Sequence, residues 1–199
     1  MNASKSEKAY QYFKEVVAQL EGATPDMINH LVANSEARLL DKHIHLMEVG
    51  EVADELYFIA EGVVMQRFFD GSREKAVSFH FEGEFFTSFE SFIQEVPSEF
   101  YLRTLASTTL LVWSKKQYER FYQTFPTAIR PNRDVFQSYF LREFKVKTRL
   151  LTYTPENLYK YLLMHEPQII QRVPLTYIAE YMGISQEYLS RLRKKISLS

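Results

Sequence analysis

The chain has 199 residues, of which 46% are hydrophobic and none is cysteine, and its 24 Lys/Arg nearly balance its 25 Asp/Glu. A globular share of hydrophobic residues with so little net charge excludes a disordered tail and a collagen-like fibre. The lack of cysteine excludes disulfides, thiol catalysis, and zinc or iron–sulfur sites held by thiolates. No apolar run reaches the roughly 18 residues of a membrane span, and the first ten residues lack the apolar core of a signal peptide, so we expect a soluble, cytoplasmic protein.

The composition changes near residue 150. All 16 Phe lie at or before Phe144, and residues 151–199 contain none. Residues 151–199 carry six Lys/Arg against four Asp/Glu, a net charge of +2, which leaves −3 for residues 1–150. We therefore expect an acidic body followed by a mildly basic C-terminal domain.

The chain begins with helical periodicity. Apolar residues with the i, i+3, i+4, i+7 spacing of an amphipathic helix are Tyr10, Phe13, Val16, Val17 and Leu20. The pair Thr24-Pro25 predicts the start of a second helix, because Thr caps free N–H groups and Pro suits the first helical position.

Regular turn signals follow, at Gly50, Gly62, Gly71 and Gly83. Their spacing of 9 to 12 residues is typical of short antiparallel strands, and Asp70-Gly71 favours a hairpin turn. Alternation in the strand at 76–81 places Val77, Phe79 and Phe81 on one face. The pattern predicts a β-roll or β-sandwich over about residues 40–115, with strands at 56–59, 63–65, 76–81 and within 102–113.

A long amphipathic helix is predicted from about residue 132 to 151. A helix of about 20 residues is about 30 Å long, more than one face of a small β domain can cover, so part of its apolar stripe needs another partner. We expect a dimer seam between two copies of this helix; the alternative is a helix packed wholly within its own chain. The residues predicted for the dimer helix are Phe136, Tyr139, Phe140 and Phe144.

Residues 175–196 carry the most specific pattern in the chain, that of a helix-turn-helix. Ala179, at the fifth position, allows the two helices to cross closely. Gly183, at the ninth, can adopt the positive φ that ends the first helix, and Ser185 is placed to cap the second. The predicted shared core consists of Ile178, Met182, Ile184, Leu189 and Leu192.

The outer face of the second helix has the chemistry of a DNA reader. Arg can make two hydrogen bonds to guanine, Glu can accept one from cytosine, and Gln can pair with adenine. Lysines farther along the helix lie where phosphates would pass. The alternative is a structural helical hairpin with a solvated basic face. The residues predicted to contact DNA are Ser185, Gln186, Glu187, Tyr188, Ser190, Arg191, Lys194 and Lys195.

Together these patterns resemble the Crp/Fnr family of bacterial transcription regulators. In the β domain the resemblance lies in Gly50-Glu51, residues 56–62 and residues 83–86, and the helix-turn-helix follows in the family's order. The resemblance implies an α+β fold, in which an N-terminal antiparallel β-roll of cupin-like, cyclic-nucleotide-binding-like type precedes a long dimerisation helix and a C-terminal all-α helix-turn-helix domain. The corresponding boundaries are 1–130 for the β-roll with its flanking helices, 131–151 for the long helix and 152–199 for the helix-turn-helix domain.

The resemblance also implies partners. Family members are homodimers that bind a pseudo-palindromic operator in double-stranded DNA, with one recognition helix for each half-site. RNA polymerase is a further candidate partner. We expect no membrane association and no cofactor.

The sensory pocket departs from the cAMP-binding members, in which a Glu and an Arg-Ser pair hold the ribose and the cyclic phosphate. The corresponding positions here are Thr87-Ser88-Phe89 and Ser98-Glu99-Phe100, and a carboxylate at Glu99 would repel a phosphate, so the pocket is not suited to cAMP. An apolar or aromatic effector is one interpretation; the other is that these Phe simply fill the roll. The candidate pocket residues are Phe85, Phe86, Ser88, Phe89, Phe92, Ser98, Phe100 and Arg103.

Two alternatives come from other functional classes. A metal-dependent cupin enzyme needs a ligand set, and the candidate is His43, His45 and Glu48; strand alternation instead favours two solvent-facing histidines. A protein-interaction module would use the helix-turn-helix without binding DNA. We expect no enzymatic activity.

Overall fold

The computed structural model describes residues 2–69 and 71–197, and it opens with the two predicted helices, α1 (Asn2–Val17) and α2 (Pro25–Ala33). Helix α2 begins as expected, because the Thr24 hydroxyl accepts a hydrogen bond of 3.3 Å from the backbone N–H of Met27. Pro25 occupies the first turn, where its missing N–H costs nothing.

The described residues then form an antiparallel β-roll of two four-stranded sheets, as predicted. The first sheet has the order β1-β8-β3-β6 and the second β2-β7-β4-β5. A short helix, α3 (Phe89–Gln94), lies between β6 and β7. The strands are β1 (Glu36–Leu40), β2 (His45–Met47), β3 (Glu55–Glu61), β4 (Val64–Phe69), β5 (Glu74–His80), β6 (Phe85–Phe86), β7 (Phe100–Thr104) and β8 (Thr108–Ser114).

The turn between β3 and β4 requires glycine. Gly62 has φ +115°, and a Cβ at this position would lie 2.4 Å from the Thr108 hydroxyl oxygen. No other residue fits here without displacing β8. Of the predicted Asp70-Gly71 turn, Asp70 lies outside the described residues, and β4 pairs with β5 on either side of it.

Strand β5 does not alternate strictly, so the prediction that Val77, Phe79 and Phe81 share one face is wrong. Gln66 pairs with Ser78 and Arg67 with Ala76, so Val77 is the extra residue of a bulge. The bulge places Ala76 with Phe79 and Phe81 in the cluster that faces the C-terminal helices.

Each sheet has buried apolar residues on both of its faces, one inside the roll and one outside it. Inside the roll, Tyr57, Ile59, Phe86, Leu102 and Leu110 are all less than 5% exposed. On the outer side of the first sheet, α1 inserts Phe13 against Phe58 and Trp113, with ring centroids 5.1 and 5.3 Å apart. The roll is therefore filled by its own side chains and covered by α1 on one side.

The remaining helices follow the roll without a further strand among the described residues. Helix α4 (Lys115–Thr124) starts at a capping box formed by Ser114 and Gln117, and a 3₁₀ turn (Pro126–Ala128) leads into α5 (Ile129–Thr152). Helix α5 has 24 residues, so the predicted long helix is confirmed but starts three residues earlier. The C-terminal helices are α6 (Pro155–His165), α7 (Pro167–Arg172), α8 (Leu175–Met182) and α9 (Gln186–Ser197). Within the described chain, none of the helices is both long enough and apolar enough to cross a membrane.

Candidate functional site

The turn between α8 and α9 has the predicted geometry. Gly183 has φ +69°, and the N–H of Ile184 donates to the carbonyl of Ala179 at 3.0 Å. The hydroxyl of Ser185 accepts from the N–H of Tyr188 at 3.1 Å, which makes Ser185 the cap of α9. Both local predictions, the left-handed glycine and the serine cap, are confirmed.

The two helices share a buried core. Ile178, Ala179, Leu189 and Leu192 are each at most 5% exposed, and they pack with residues of α6 and with the outer side of the second sheet. Met182 is buried and Ile184 is half-buried in the same cluster. The predicted helix-turn-helix core is therefore confirmed.

The opposite face of α9 presents polar side chains to solvent. Glu187, Tyr188, Arg191 and Lys194 are exposed, and the Arg191 guanidinium lies over the Tyr188 ring at 5.9 Å from its centroid. The backbone N–H of Glu187 and the Ser185 hydroxyl hold the pKa of the Glu187 carboxyl below its usual range, so this acceptor is ionised at neutral pH. Ser190 lies half-buried beside this face.

Two of the predicted contact residues already have partners. The Gln186 side-chain oxygen accepts from the Thr176 hydroxyl at 2.8 Å, which ties the start of α9 to α8. The Lys195 ammonium lies 2.6 Å from the Glu156 carboxylate at the start of α6. Hydrogen bonds from Lys160 and Lys195 lower the pKa of Glu156 to about 2. Lys195 is four residues after Arg191 and so projects from nearly the same side of α9, but its ammonium is held by α6.

The helix-turn-helix docks on the second sheet through charged groups. Arg67 of β4 is 8% exposed and lies 2.8 Å from the Glu180 carboxylate of α8. The same guanidinium reaches the Tyr101 hydroxyl at 2.7 Å and Glu74 at 2.6 Å. Glu180 also accepts from the backbone N–H of Ala76 at 3.3 Å, so one carboxylate joins α8 to two strands.

Arg103 belongs to this interface and not to the predicted pocket. Its guanidinium donates to the Tyr177 hydroxyl at 2.5 Å and lies over the Tyr177 ring. Sequence reasoning overlooked Arg67 and assigned Arg103 to the sensory pocket, because strand periodicity does not identify which neighbour covers an outward-facing arginine.

The apolar stripe of α5 divides into two faces. Phe136 and Tyr139 pack on Phe89 of α3, with centroids 5.3 and 5.4 Å apart. Phe140 and Phe144 are 64% and 60% exposed and stack on each other at 6.1 Å. Two of the four predicted dimer-helix residues, Phe136 and Tyr139, therefore pack within their own chain. The other two, Phe140 and Phe144, are exposed to solvent, as are Leu141 and Leu151.

A pocket of about 460 Å³ lies between the second sheet and α5. Ser88, Phe89 and Phe100 line it, together with Tyr139 and Glu143 of α5. Ser88 and Ser98 are buried, and their hydroxyl oxygens are 2.9 Å apart in a hydrogen bond. Glu99 is exposed, so the expected repulsion by its carboxylate is not what disfavours a phosphate; among the described residues that line the pocket there is no arginine.

The predicted pocket phenylalanines separate into three groups. Phe86 and Phe92 fill the roll, where they are 0% and 4% exposed. Phe85 packs against α1 on the outer side of the first sheet. Phe89 and Phe100 reach the pocket, so the filling interpretation holds for some of these residues and the pocket interpretation for others.

The histidine pair does not form a metal centre in the described part of the chain. His43 lies in a turn with φ +71° instead of on a strand, and His45 stacks on Tyr101 at 5.2 Å and pairs with Glu48. Groups of three His, Cys, Asp or Glu placed to hold a metal ion are not found among residues 2–69 and 71–197.

Comparison with known proteins agrees with this geometry. Residues 37–125 match the family described as the cyclic nucleotide-binding domain. No curated protein matches the sequence.

Solved structures match over most of the chain. The c-di-GMP-responsive global regulator CLP of Xanthomonas campestris superposes with a TM-score of 0.68 at 21% identity, covering 88% of this chain and 92% of that one. The catabolite activator protein of Thermus thermophilus gives a TM-score of 0.55 at 20% identity, with 89% and 85% covered. A protein of Eubacterium rectale assigned to the Crp/Fnr family of transcriptional regulators gives 0.67 at 12% identity, with 88% and 84% covered.

These matches agree with the order of elements described above, a β-roll, a long helix and a helix-turn-helix. Residues 37–125 thus match the cyclic nucleotide-binding domain family, and the chain as a whole has the fold seen in the Crp/Fnr transcription regulators.

Proposed function

We propose that this protein is a sequence-specific DNA-binding transcription regulator of Crp/Fnr type that acts as a homodimer and inserts α9 into the major groove. The observation that supports the proposal most directly is the exposed polar face at the start of α9, on a helix whose other face is buried. Glu187 and Arg191 are four residues apart and therefore project from the same side of the helix. A major groove admits one helix, and its base edges offer the acceptors and donors that these two side chains require.

The exposed half of the α5 stripe supports the homodimer. Phe140, Leu141, Phe144 and Leu151 are between 53% and 79% exposed, and four large apolar side chains on one helix are costly to leave in water. A second copy of α5 would cover them. The two recognition helices would then read half-sites about 34 Å apart, one turn of DNA.

The pocket between the second sheet and α5 is the proposed effector site, and cAMP is not its ligand. In the cAMP-binding members an Arg-Ser pair holds the cyclic phosphate. The described lining here contains Lys75 and Lys147 but no arginine, and Ser88 and Ser98 are hydrogen-bonded to each other. Of the arginines nearest in the fold, Arg67 and Arg103 are directed to α8.

Selection from random double-stranded DNA with the purified full chain tests the central claim. We expect a two-fold symmetric consensus. Arg191→Ala should weaken binding to that site about 5- to 150-fold, equivalent to about 1–3 kcal/mol, and relax the preference at one base pair. The matched control is Arg193→Ala, which removes an exposed arginine about 200° away around the same helix. A chain that enriches no DNA sequence would instead be an interaction module.

The dimer is tested separately by Phe144→Glu. A carboxylate in the seam should convert the dimer to a monomer in analytical ultracentrifugation and abolish binding to the two-fold site while the folded monomer persists. Lys145→Glu, on an exposed neighbouring position, is the control for the added charge. A dimer that survives Phe144→Glu would place the interface elsewhere.

A further inference from the structure

A second, apolar cavity lies against the β-roll, where α2, α3, α4 and α5 meet. Its volume is about 100 Å³. Leu31 of α2, Phe121 of α4 and Val135 of α5 are among the residues that line it. No Asp, Glu, Lys, Arg or His is among its described lining residues, and its polar groups are Asn132 and the hydroxyls of three tyrosines.

Two groups of aromatic rings form walls of this cavity. On one wall Phe92 contacts Tyr118 at 5.5 Å, and Tyr118 contacts Tyr122 at 4.9 Å, both edge to face. The other wall is the contact of Phe89 with Phe136 and Tyr139 of α5. An additional ring placed between the walls would continue the edge-to-face contacts that are already present.

We propose that this cavity binds a small, uncharged aromatic molecule of about one ring. A charged ligand would have to lose its hydration with no counter-charge in the lining. Engineered apolar cavities of about 150 Å³ take up benzene, so a cavity of about 100 Å³ limits the ligand to no more than one ring. Ile93 lines the cavity and is 65% exposed, so the cavity borders the protein surface at this residue.

This site goes beyond the proposed function, because it is distinct from the pocket between the second sheet and α5. The cavity and the pocket have two lining residues in common, Phe89 and Tyr139, which separate one from the other. Its α5 wall is formed by the same helix whose exposed face is the proposed dimer seam. A bound ring would therefore brace α5 from the side that faces its own chain.

Methionine methyl groups report on the site without any substitution. Met27 lines the cavity, whereas Met65 lies 0% exposed under the C-terminal helices and Met182 belongs to α8. We would titrate the full chain, labelled with ¹³C at the methionine methyls, with benzene and, separately, with benzoate; Met27→Leu assigns the signal. Benzene should shift the Met27 methyl signal in a saturable way and leave those of Met65 and Met182 in place. Benzoate should leave all three in place.

A variant that fills the cavity provides the second part of the test. Ala23 lines the cavity, so Ala23→Phe should remove the benzene response, whereas Ala106→Phe in the β7–β8 turn should retain it. A Met27 signal that does not move, a response to benzene and benzoate alike, or saturation in Ala23→Phe equal to that of the unsubstituted chain would overturn the proposal. None of these measurements involves DNA, so their failure is separate from failure of the proposed function.

Discussion

The outer faces of the two sheets are covered in different ways. On the first sheet, α1 contributes Phe13, which is 0% exposed between Phe58 and Trp113. The polar atom of that contact, the Trp113 indole N–H, donates to the backbone carbonyl of Leu31 at 2.8 Å. Covering this face excludes water from a continuous apolar surface.

The second sheet is covered by α7 and α8 through both apolar and charged contacts. Phe79 meets Tyr181 at 5.3 Å, but around this contact Arg67 pairs with Glu180, Arg103 with Tyr177 and Arg172 with Glu82. Removal of a helix from an apolar face exposes hydrophobic surface, whereas groups in charged contacts can be rehydrated and bind counter-ions.

From this difference we predict that the contact on the second sheet opens before the contact with α1. The α1 face resembles the interior of a domain, and the α8 face resembles the polar interfaces between domains that separate and reform. The orientation of the helix-turn-helix thus depends on groups that water, acid or salt can replace, in addition to the apolar contact of Phe79 with Tyr181. Four measurements compare how strongly the helices are held on the two faces and which kind of contact holds them.

Phe13→Ala should have the largest effect. Truncating a fully buried ring lowers the free energy of unfolding by about 3–5 kcal/mol, because the protein loses the burial of the ring's apolar surface and is left with a cavity. Urea unfolding followed by circular dichroism measures the shift in midpoint, with Phe13→Leu as the milder control. If the roll kept its stability and α1 alone became disordered, the α1 face would not be part of the permanent core.

Arg67→Met should cost less and act locally. It leaves Glu180 without its guanidinium, a loss of about 1–3 kcal/mol for a charged hydrogen bond at a partly buried site. We expect faster hydrogen exchange at the Ala76 N–H and in α8, with the α1 amides unchanged. The control is Arg38→Met, which removes an arginine paired with Glu55 within the roll.

The double variant Arg67→Met/Glu180→Met sharpens this result, since it removes both members of the pair. Restored protection in α8 would show that the unpaired carboxylate, and not the lost packing, caused the opening. An additive result would instead assign the effect to packing.

Acid should release the second face before the first. Burial raises the pKa of Glu82, but hydrogen bonds from Arg172 and from the Gly62 N–H outweigh it and hold the pKa below its usual range. A carboxyl whose pKa is depressed on docking stabilises docking above its ordinary pKa and loses that contribution as the pH falls through the docked value. Exchange in α7 should therefore rise below about pH 4.

Glu82→Gln is the matched variant for the acid experiment. It removes the titrating group, so α7 should exchange faster at neutral pH and respond less to acid. An α1 that opens at the same pH as α7 would contradict the distinction between the two faces.

Salt should produce the smallest effect, under about 1 kcal/mol. The Arg172–Glu82 pair is about 30% exposed, and the screening length falls from about 10 Å at 0.1 M to about 3 Å at 1 M salt. Exchange in α7 and α8 should rise modestly over this range, while the α1 amides stay constant or become better protected. Equal responses would indicate that salt acts on the whole fold.

Local structure in this chain was largely predictable. The left-handed Gly183, the Ser185 cap and the Thr24 cap each depend on one residue and its immediate neighbours. The β-roll was predictable from glycine spacing, since Gly62 can occupy its turn for steric reasons that no other residue satisfies. The assignment of particular residues to DNA contact and the domain boundaries stay predictions.

Features that depend on distant neighbours were not predictable. The bulge at Val77 arises from the register between β4 and β5, which alternation within one strand does not encode. Arg103 follows the pocket segment closely in sequence but contacts Tyr177, 74 positions away. The stripe of α5 reads as one apolar face, and contact with Phe89 is what divides it into a covered and an exposed half.

The sequence by itself thus determined the N-terminal helices, the β-roll, the long helix, the helix-turn-helix and the near-neutral balance of an acidic body with a basic end, because each follows from periodicity, caps and composition. Only the tertiary structure decided which side chains cover which face. Ser88 and Ser98 form a hydrogen bond with each other, and Arg67 and Arg103 contact α8. Phe140 and Phe144 are exposed to solvent. The physical reason is that burial and charge pairing are properties of neighbours brought together by folding, and those neighbours are remote in the chain.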